Sequence, residues 1–128
     1  MNIAIFGNGK MGKLISKLAI DKGHSILITT NSKKPAKDCD LSSIDVAIDF
    51  SLPNVAFDNI SYAIENNTPI ISGTTDWLER LEEVKEICLT KNGAFLYSSN
   101  FSLGMNIFFE LNRTLAKLIK GKKYTASI

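Results

Sequence analysis

The stretch Asn2-Ile3-Ala4-Ile5-Phe6 runs straight into Gly7-Asn8-Gly9-Lys10-Met11-Gly12, and residues 10–22 then carry the period of an amphipathic helix. No other part of the chain restricts the fold so tightly. Glycines at the spacing G-x-G-x-x-G between a strand and a helix answer three separate needs. Gly7 permits a tight reversal, Gly9 lets a pyrophosphate approach the backbone, and Gly12 lets helix and strand pack closely. A helix opening there aims its free N–H groups and positive dipole end at phosphate. Three such glycines also fit a tight turn that binds nothing. The strand before them and the helix after them make a dinucleotide site the better reading, and Gly12→Val is expected to weaken binding without unfolding the chain.

Periodicity places Met11, Leu14, Ile15, Leu18 and Ala19 on the inner face of this helix, with Lys10, Lys13, Ser16 and Lys17 outside and Gly23 as its end. Ser25-Ile26-Leu27-Ile28-Thr29-Thr30 reads as the second strand of a βαβ unit. His24, the only histidine, lies in the connection and is given no role. An acid about 20 residues beyond such glycines accepts hydrogen bonds from the adenine ribose hydroxyls when the ligand is NAD. Here the window is Thr29-Thr30-Asn31-Ser32-Lys33-Lys34, which has no acid and two lysines. Asn31 and Lys33 are assigned to the cofactor, where a 2′-phosphate would not be repelled; the other reading of Lys33 and Lys34 is ordinary solvated loop charge. Residues 35–43 read as a polar surface connection.

A third strand at 44–50 meets Ser51-Leu52-Pro53, a helix start, and Ala56, Phe57, Ile60, Ala63 and Ile64 form that helix's inner face. Pro69-Ile70-Ile71-Ser72 is a fourth strand, followed by the loop Gly73-Thr74-Thr75. Asp76 and Glu79 have the spacing of a capping box for a third helix, with Trp77, Leu81, Val84 and Cys88 on one face and Gly93 at its end. A fifth strand at 94–98, the loop Ser99-Asn100-Phe101-Ser102, a long helix at 103–119 and a short run at 123–128 complete the chain. Strands alternating with helices predict one α/β domain over residues 1–128, a Rossmann-like parallel sheet with helices on both faces. Ligands of such sheets bind beyond the carboxyl ends of the strands, where all four small-residue loops fall. Apolar residues of the last helix spread over about 200° of its circumference, more than one sheet face covers. Its side bearing Met105 and Phe109 is expected to face something outside the domain, the alternative being that the run from Gly121 onward or residues 35–43 fold over it.

Composition narrows the function classes. With 45% hydrophobic residues, 128 residues can bury one core, and 15 basic and 13 acidic residues are interspersed to a net charge of +2. That balance gives no support to nucleic-acid or membrane-surface binding. Cys39 and Cys88 have no metal-ligand spacing, no metal is expected, and the chain opens on a core strand rather than a leader, so a reduced cytoplasmic protein is expected.

At its loops the chain resembles the 4-hydroxy-tetrahydrodipicolinate reductase (dihydrodipicolinate reductase) family of the diaminopimelate route to lysine. Gly7-Asn8-Gly9-Lys10-Met11-Gly12 is similar to that family's glycine turn. Asp45-Val46-Ala47-Ile48-Asp49-Phe50-Ser51-Leu52-Pro53 is similar to its D-x-x-I-D-F-[ST]-x-P strand end. Ile71-Ser72-Gly73-Thr74-Thr75 matches its G-T-T motif, and Ser99-Asn100-Phe101-Ser102-Leu103-Gly104-Met105-Asn106 its [SA]-N-[FM]-S-x-G-x-N motif. The first motif is generic to dinucleotide folds, and the other three together are specific. The resemblance implies NADPH or NADH as cofactor. Gly7, Asn8, Gly9, Lys10, Met11 and Gly12 would hold the pyrophosphate, and Phe50 and Ser51 would lie near a ribose. Gly73, Thr74, Thr75, Ser99, Asn100 and Phe101 would contact the nicotinamide end.

Two small departures are Asp76, where the family usually has glycine, and Ser99, where alanine is common. The large one is that the family's second domain, with its E-x-H-H and K-x-D-A-P-S-G-T segments, has no counterpart in these residues. The run 124–128 aligns with the passage into it. No catalytic residue is therefore assigned within the chain, and no carboxylate clamp for a cyclic dicarboxylate substrate falls in the four loops. The expected reading is the cofactor-binding half of an NAD(P)H-dependent oxidoreductase, inactive by itself and homo-oligomeric when complete. The alternative is a stand-alone NAD(P)-binding or regulatory module, with a purely structural domain as a third reading.

Overall fold

Alternate residues of the central strands serve two different cores, as a buried parallel sheet requires. The computed structural model describes residues 1–122, so the expected run at 123–128, including the stretch likened to the family's inter-domain passage, lies outside the described residues. The strands are β1 (Asn2–Phe6), β2 (Ser25–Thr29), β3 (Val46–Asp49), β4 (Ile70–Ser72) and β5 (Phe95–Tyr97). The helices are α1 (Lys10–Asp21), α2 (Pro53–Glu65), α3 (Leu81–Thr90) and α4 (Leu103–Ile119). All neighbours pair in parallel in the order β2-β1-β3-β4-β5. The chain passes from β1 outward to β2 and then returns to β1's other side. The order of connections thus reverses between β1 and β3, which is where an open α/β sheet presents its ligand crevice.

Ala4 and Phe6 of β1 face the larger core with Ala47, Ile60, Ile64, Ile70, Trp77 and Val84, beneath α2 and α3. Ile3 and Ile5 face the other side, where α1 contributes Ala19 and the half-buried Ile15. Among the described residues only part of that second face is covered. Ile5, Ile48, Ile71 and Leu96 form one row across β1, β3, β4 and β5, and exposure rises along it from 0% at Ile5 to 54% at Leu96.

Several expectations change on this frame. Met11, Leu14 and Leu18 are exposed, and α1 meets the sheet through Gly12, Ile15 and Ala19, with Ser16 turned inward to donate its hydroxyl to the Gly12 carbonyl at 2.8 Å. The close seat at Gly12 rotates the helix toward its small residues. The segment 35–43 is not a surface connection. Ala36, Cys39 and Leu41 are buried in the larger core, and the Cys39 carbonyl accepts from the Tyr62 hydroxyl at 2.8 Å. The capping box does not form, because Asp76 sits at φ +61° and a 3-10 turn over Leu78–Arg80 precedes α3, whose start carries no side-chain cap. Asn92, at φ +49°, rather than Gly93, is the left-handed residue that ends α3. Asn67 after α2 and Gly23 after α1 do the same, and each of the three endings returns three N–H groups to the last turn.

Helix α4 departs furthest from expectation. Sequence reading leaves about half of it without a partner, yet all of its residues except Ile119 are exposed, including Phe108 at 54% and Leu118 at 69%. Residues 35–43, one of the two expected alternative covers, lie over α2 instead, and the other, the run from Gly121 onward, is outside the described residues beyond residue 122. Substitutions on α4 should therefore be nearly silent in this chain. Leu115→Glu is expected to change unfolding free energy by less than about 0.5 kcal/mol, whereas Ile60→Ala in the core should cost about 2–5 kcal/mol. Thermal denaturation followed by circular dichroism checks both.

Candidate functional site

Where β1 ends, the backbone must turn into α1 under β3's exit, and three chain segments meet within van der Waals distance. Gly7 stands at φ +108°, and a Cβ there would collide with the Phe50 carbonyl. A Cβ at Gly12 would run into the Gly7 carbonyl oxygen. Gly9 differs from both, since a side chain built on it meets nothing within 4 Å. It also stands at the N-cap of α1 with no side chain capping the helix, so the first N–H groups of α1 are left free. The turn is held from below by the Gly7 N–H, which donates to the buried Thr30 hydroxyl at 3.1 Å.

Two adjoining clefts open at this point, sharing Gly9, Phe50 and Ser51. One, of about 310 Å³, is lined by Gly9, Lys10, Met11, Phe50, Ser51, Pro53, Gly73, Thr74 and Thr75. The other, of about 610 Å³, runs between the glycine turn, the end of β2 and the start of α2, with Gly7, Asn8, Thr30, Asn31 and Ser32 on one side and Leu52, Asn54, Val55 and Asn59 on the other. The clefts thus bring together eleven of the sixteen residues assigned from sequence. Gly12 lies beneath the turn rather than in either cleft. Lys33 is exposed and lines neither, and Ser99, Asn100 and Phe101 also stand outside both.

The loop after β5 is nonetheless ordered toward the site. Ser102 N–H donates to the Asn100 side-chain oxygen at 2.8 Å, and Asn106 Nδ2 donates to the Asn100 carbonyl at 3.0 Å. Phe101 reaches Phe50 with ring centroids 6.2 Å apart and tilted by 58°, a geometry aromatic pairs favour. The residues at which the chain departs from the family pattern, Asp76 and Ser99, are exposed and line neither cleft. At φ +61°, Asp76 occupies a conformation that glycine adopts at no steric cost, which is the physical reason for glycine at that position.

At the end of β2, Asn31 Oδ1 accepts from the Lys33 and Lys34 N–H groups at 2.8 and 3.1 Å, closing a tight turn. Among the described residues its amide nitrogen donates to no other group. Sequence reading missed Thr30, Ser32, Pro35 and Leu52, as well as the α2 residues Pro53, Asn54, Val55 and Asn59. Their signal was available, since α2 starts from the same sheet edge as the assigned loops. It also missed the pin on the Gly73-Thr74-Thr75 loop: Trp77, expected only to pack, is 5% exposed and donates its indole N–H to the Thr74 carbonyl at 2.8 Å.

Among the described residues no helix is long and apolar enough to cross a membrane, and no group of three or more His, Cys, Asp or Glu side chains could hold a metal ion.

Residues 1–101 match the family described as dihydrodipicolinate reductase, N-terminus. The 4-hydroxy-tetrahydrodipicolinate reductase of Christiangramia forsetii is 44% identical over 121 residues, which cover 94% of this chain and 51% of that protein. That of Alkaliphilus oremlandii is 34% identical over 124 residues, 95% of this chain and 51% of that protein. The chain spans about half the length of these relatives. Homoserine dehydrogenases share the fold: that of S. aureus superposes with a TM-score of 0.54 at 18% identity, over 77% of this chain and 32% of its own. The enzyme from Thiobacillus denitrificans does so with a TM-score of 0.54 at 15% identity, over 76% and 29%.

The three glycines now separate experimentally. Gly9→Ala should lower stability by less than about 1 kcal/mol, the scale of a changed N-cap. Gly12→Val, which sequence reading expected to leave the fold intact, forces a side chain into backbone and should cost about 1–3 kcal/mol or more. Urea denaturation of the two variants measures the difference.

Proposed function

We propose that this chain, which belongs to the dihydrodipicolinate reductase family, forms the cofactor-binding half of an NAD(P)H-dependent reductase. The observation that carries the reading is the uncapped start of α1, with open space at Gly9, at the junction of two clefts. Free N–H groups at a helix start suit a pyrophosphate. The larger cleft suits the adenosine side, with Asn31 and Ser32 toward the ribose and Leu52 and Val55 offering apolar wall to the base. The smaller cleft, walled by Phe50, Ser51, Gly73, Thr74 and Thr75, suits the nicotinamide side, where its hydroxyls and backbone can orient a carboxamide. The bound dinucleotide supplies the hydride.

In the complete enzyme the substrate would be 4-hydroxy-tetrahydrodipicolinate, reduced to tetrahydrodipicolinate for lysine and diaminopimelate synthesis. The proton donor and the groups that hold the substrate's carboxylates then belong to the half of the relatives that this chain does not match. We assign that half to the bare surface of α4 and the open row at Ile71 and Leu96, and place the enzyme in the cytoplasm as a homo-oligomer. The free Cys39 and Cys88 accord with that compartment.

Calorimetric titration of the 128-residue chain should show saturable binding of both NADPH and NADH, with no reduction of the cyclic substrate. Exposed lysines near a 2′-phosphate contribute only about 0.2–1 kcal/mol each, so any preference for NADPH should be small and should shrink as salt is raised. Asn31→Asp keeps the acceptor that closes the turn and adds the missing acid. It should turn the preference toward NADH, and absence of binding to either nucleotide in the parent chain would sink the whole reading.

A further inference from the structure

We propose that Asp49 is the positioning residue of the nicotinamide-side cleft, fixing the distance between its two walls without itself touching the ligand; this rests on the dinucleotide reading above. Asp49 is the last residue of β3, in register with Phe6 on one side and Ser72 on the other, and it is 0% exposed. A carboxyl group buried at the end of an apolar strand costs several kcal/mol unless it is paired or fully hydrogen-bonded. Among the described residues no lysine or arginine pairs with it, since the three ion pairs there are all on the surface.

Four donors replace the cation. Oδ1 accepts from the Ser51 hydroxyl at 2.6 Å and from Asn59 Nδ2 at 3.2 Å. Oδ2 accepts from the Ser72 hydroxyl at 2.9 Å and the Thr74 hydroxyl at 2.8 Å. These donors come from three elements: the loop after β3, helix α2, and the end of β4 with its following loop. The Thr74 hydroxyl has a second duty. While donating to Asp49 it accepts from the Ser51 N–H at 2.9 Å, so it ties the two walls directly to each other. The Asp49 carbonyl adds a further tie by accepting from the Gly73 N–H at 2.9 Å. Phe50, between Asp49 and Ser51, is held with its ring against Gly73, where even a Cβ would not fit.

Only an all-acceptor side chain completes this arrangement. An asparagine in its place would turn N–H groups toward two of the four donors. With the amide nitrogen on the Oδ2 side, the Ser72 and Thr74 hydroxyls lose their acceptor; with it on the Oδ1 side, the Ser51 hydroxyl and the Asn59 amide lose theirs. The walls would drift apart although the core beneath them is unchanged.

The test compares two ligands on the 128-residue chain by titration calorimetry, with circular dichroism as the fold control. NADPH spans both clefts, and 2′,5′-ADP carries only the adenosine side. Asp49→Asn should weaken NADPH by at least about tenfold, the loss of one charge-assisted hydrogen bond, and 2′,5′-ADP by less than about threefold. Ser72→Ala removes one donor from Oδ2, lines neither cleft, and should reproduce the split in smaller measure; it decides the matter if Asp49→Asn fails to fold. NADPH affinity unchanged in a folded variant, or both ligands weakened equally, would overturn the role of Asp49. A parent chain that binds neither ligand would instead remove the dinucleotide reading, and this role with it.

Discussion

Three backbones cross at the carboxyl edge of the sheet with no room for a side chain between them. Gly12 lies on the Gly7 carbonyl, and Gly7 lies on the Phe50 carbonyl, so α1, the turn after β1 and the loop after β3 are packed backbone to backbone. The seat of α1 follows from this contact. With Gly12 pressed down, Ile15, Ser16 and Ala19 become the buried stripe, and Met11, Leu14 and Leu18 swing to the flank although they are larger and more apolar. The same contact leaves Gly9 at the rim, where its open side and the free N–H groups behind it become the surface offered to a ligand.

Around that crossing the fold uses two kinds of adhesive. Below the edge, the sheet is held by ordinary apolar packing, with Phe6, Ile60, Ile64, Ile70 and Val84 almost wholly removed from water. At the edge itself, apolar packing would leave loop N–H groups and hydroxyls unsatisfied, and a polar hub takes over. Asp49 gathers the Ser51, Asn59, Ser72 and Thr74 side chains, and Trp77 closes the outside of the Thr74 loop through its indole N–H while stacking edge-on to Phe95 and Tyr97. Directional bonds of this sort set loop positions more sharply than apolar contacts do.

The two faces of the sheet are unequal. One is closed by α2, α3 and the segment around Ala36, Cys39 and Leu41; among the described residues the other is closed by α1 alone, so that cover runs out toward β5. Helix α4, amphipathic and bare, leaves from the same end of the sheet. Both leave contiguous apolar surface open to water, and it is there that the second half is proposed to pack.

Much of this was written in the sequence. Alternation of apolar runs with helical periods determined five parallel strands and four helices to within a few residues at each boundary, because burial on both faces demands continuous apolar strands and because glycine, proline and asparagine mark the turns. The three loops that line the clefts were legible for the same reason, as strand ends in such a sheet share one edge; the fourth, Ser99-Asn100-Phe101, follows β5 at that edge but lines neither cleft. What sequence could not give was decided by packing. Periodicity gives the apolar side of α1, but only the Gly12 contact says which stripe of it turns inward. An Asp76–Glu79 spacing names a cap, but a left-handed Asp76 leaves no helix start for it to cap. Asp49 looks like one acid in an apolar strand; its meaning depends on donors 2, 10, 23 and 25 residues away, which only the tertiary fold brings within hydrogen-bonding reach.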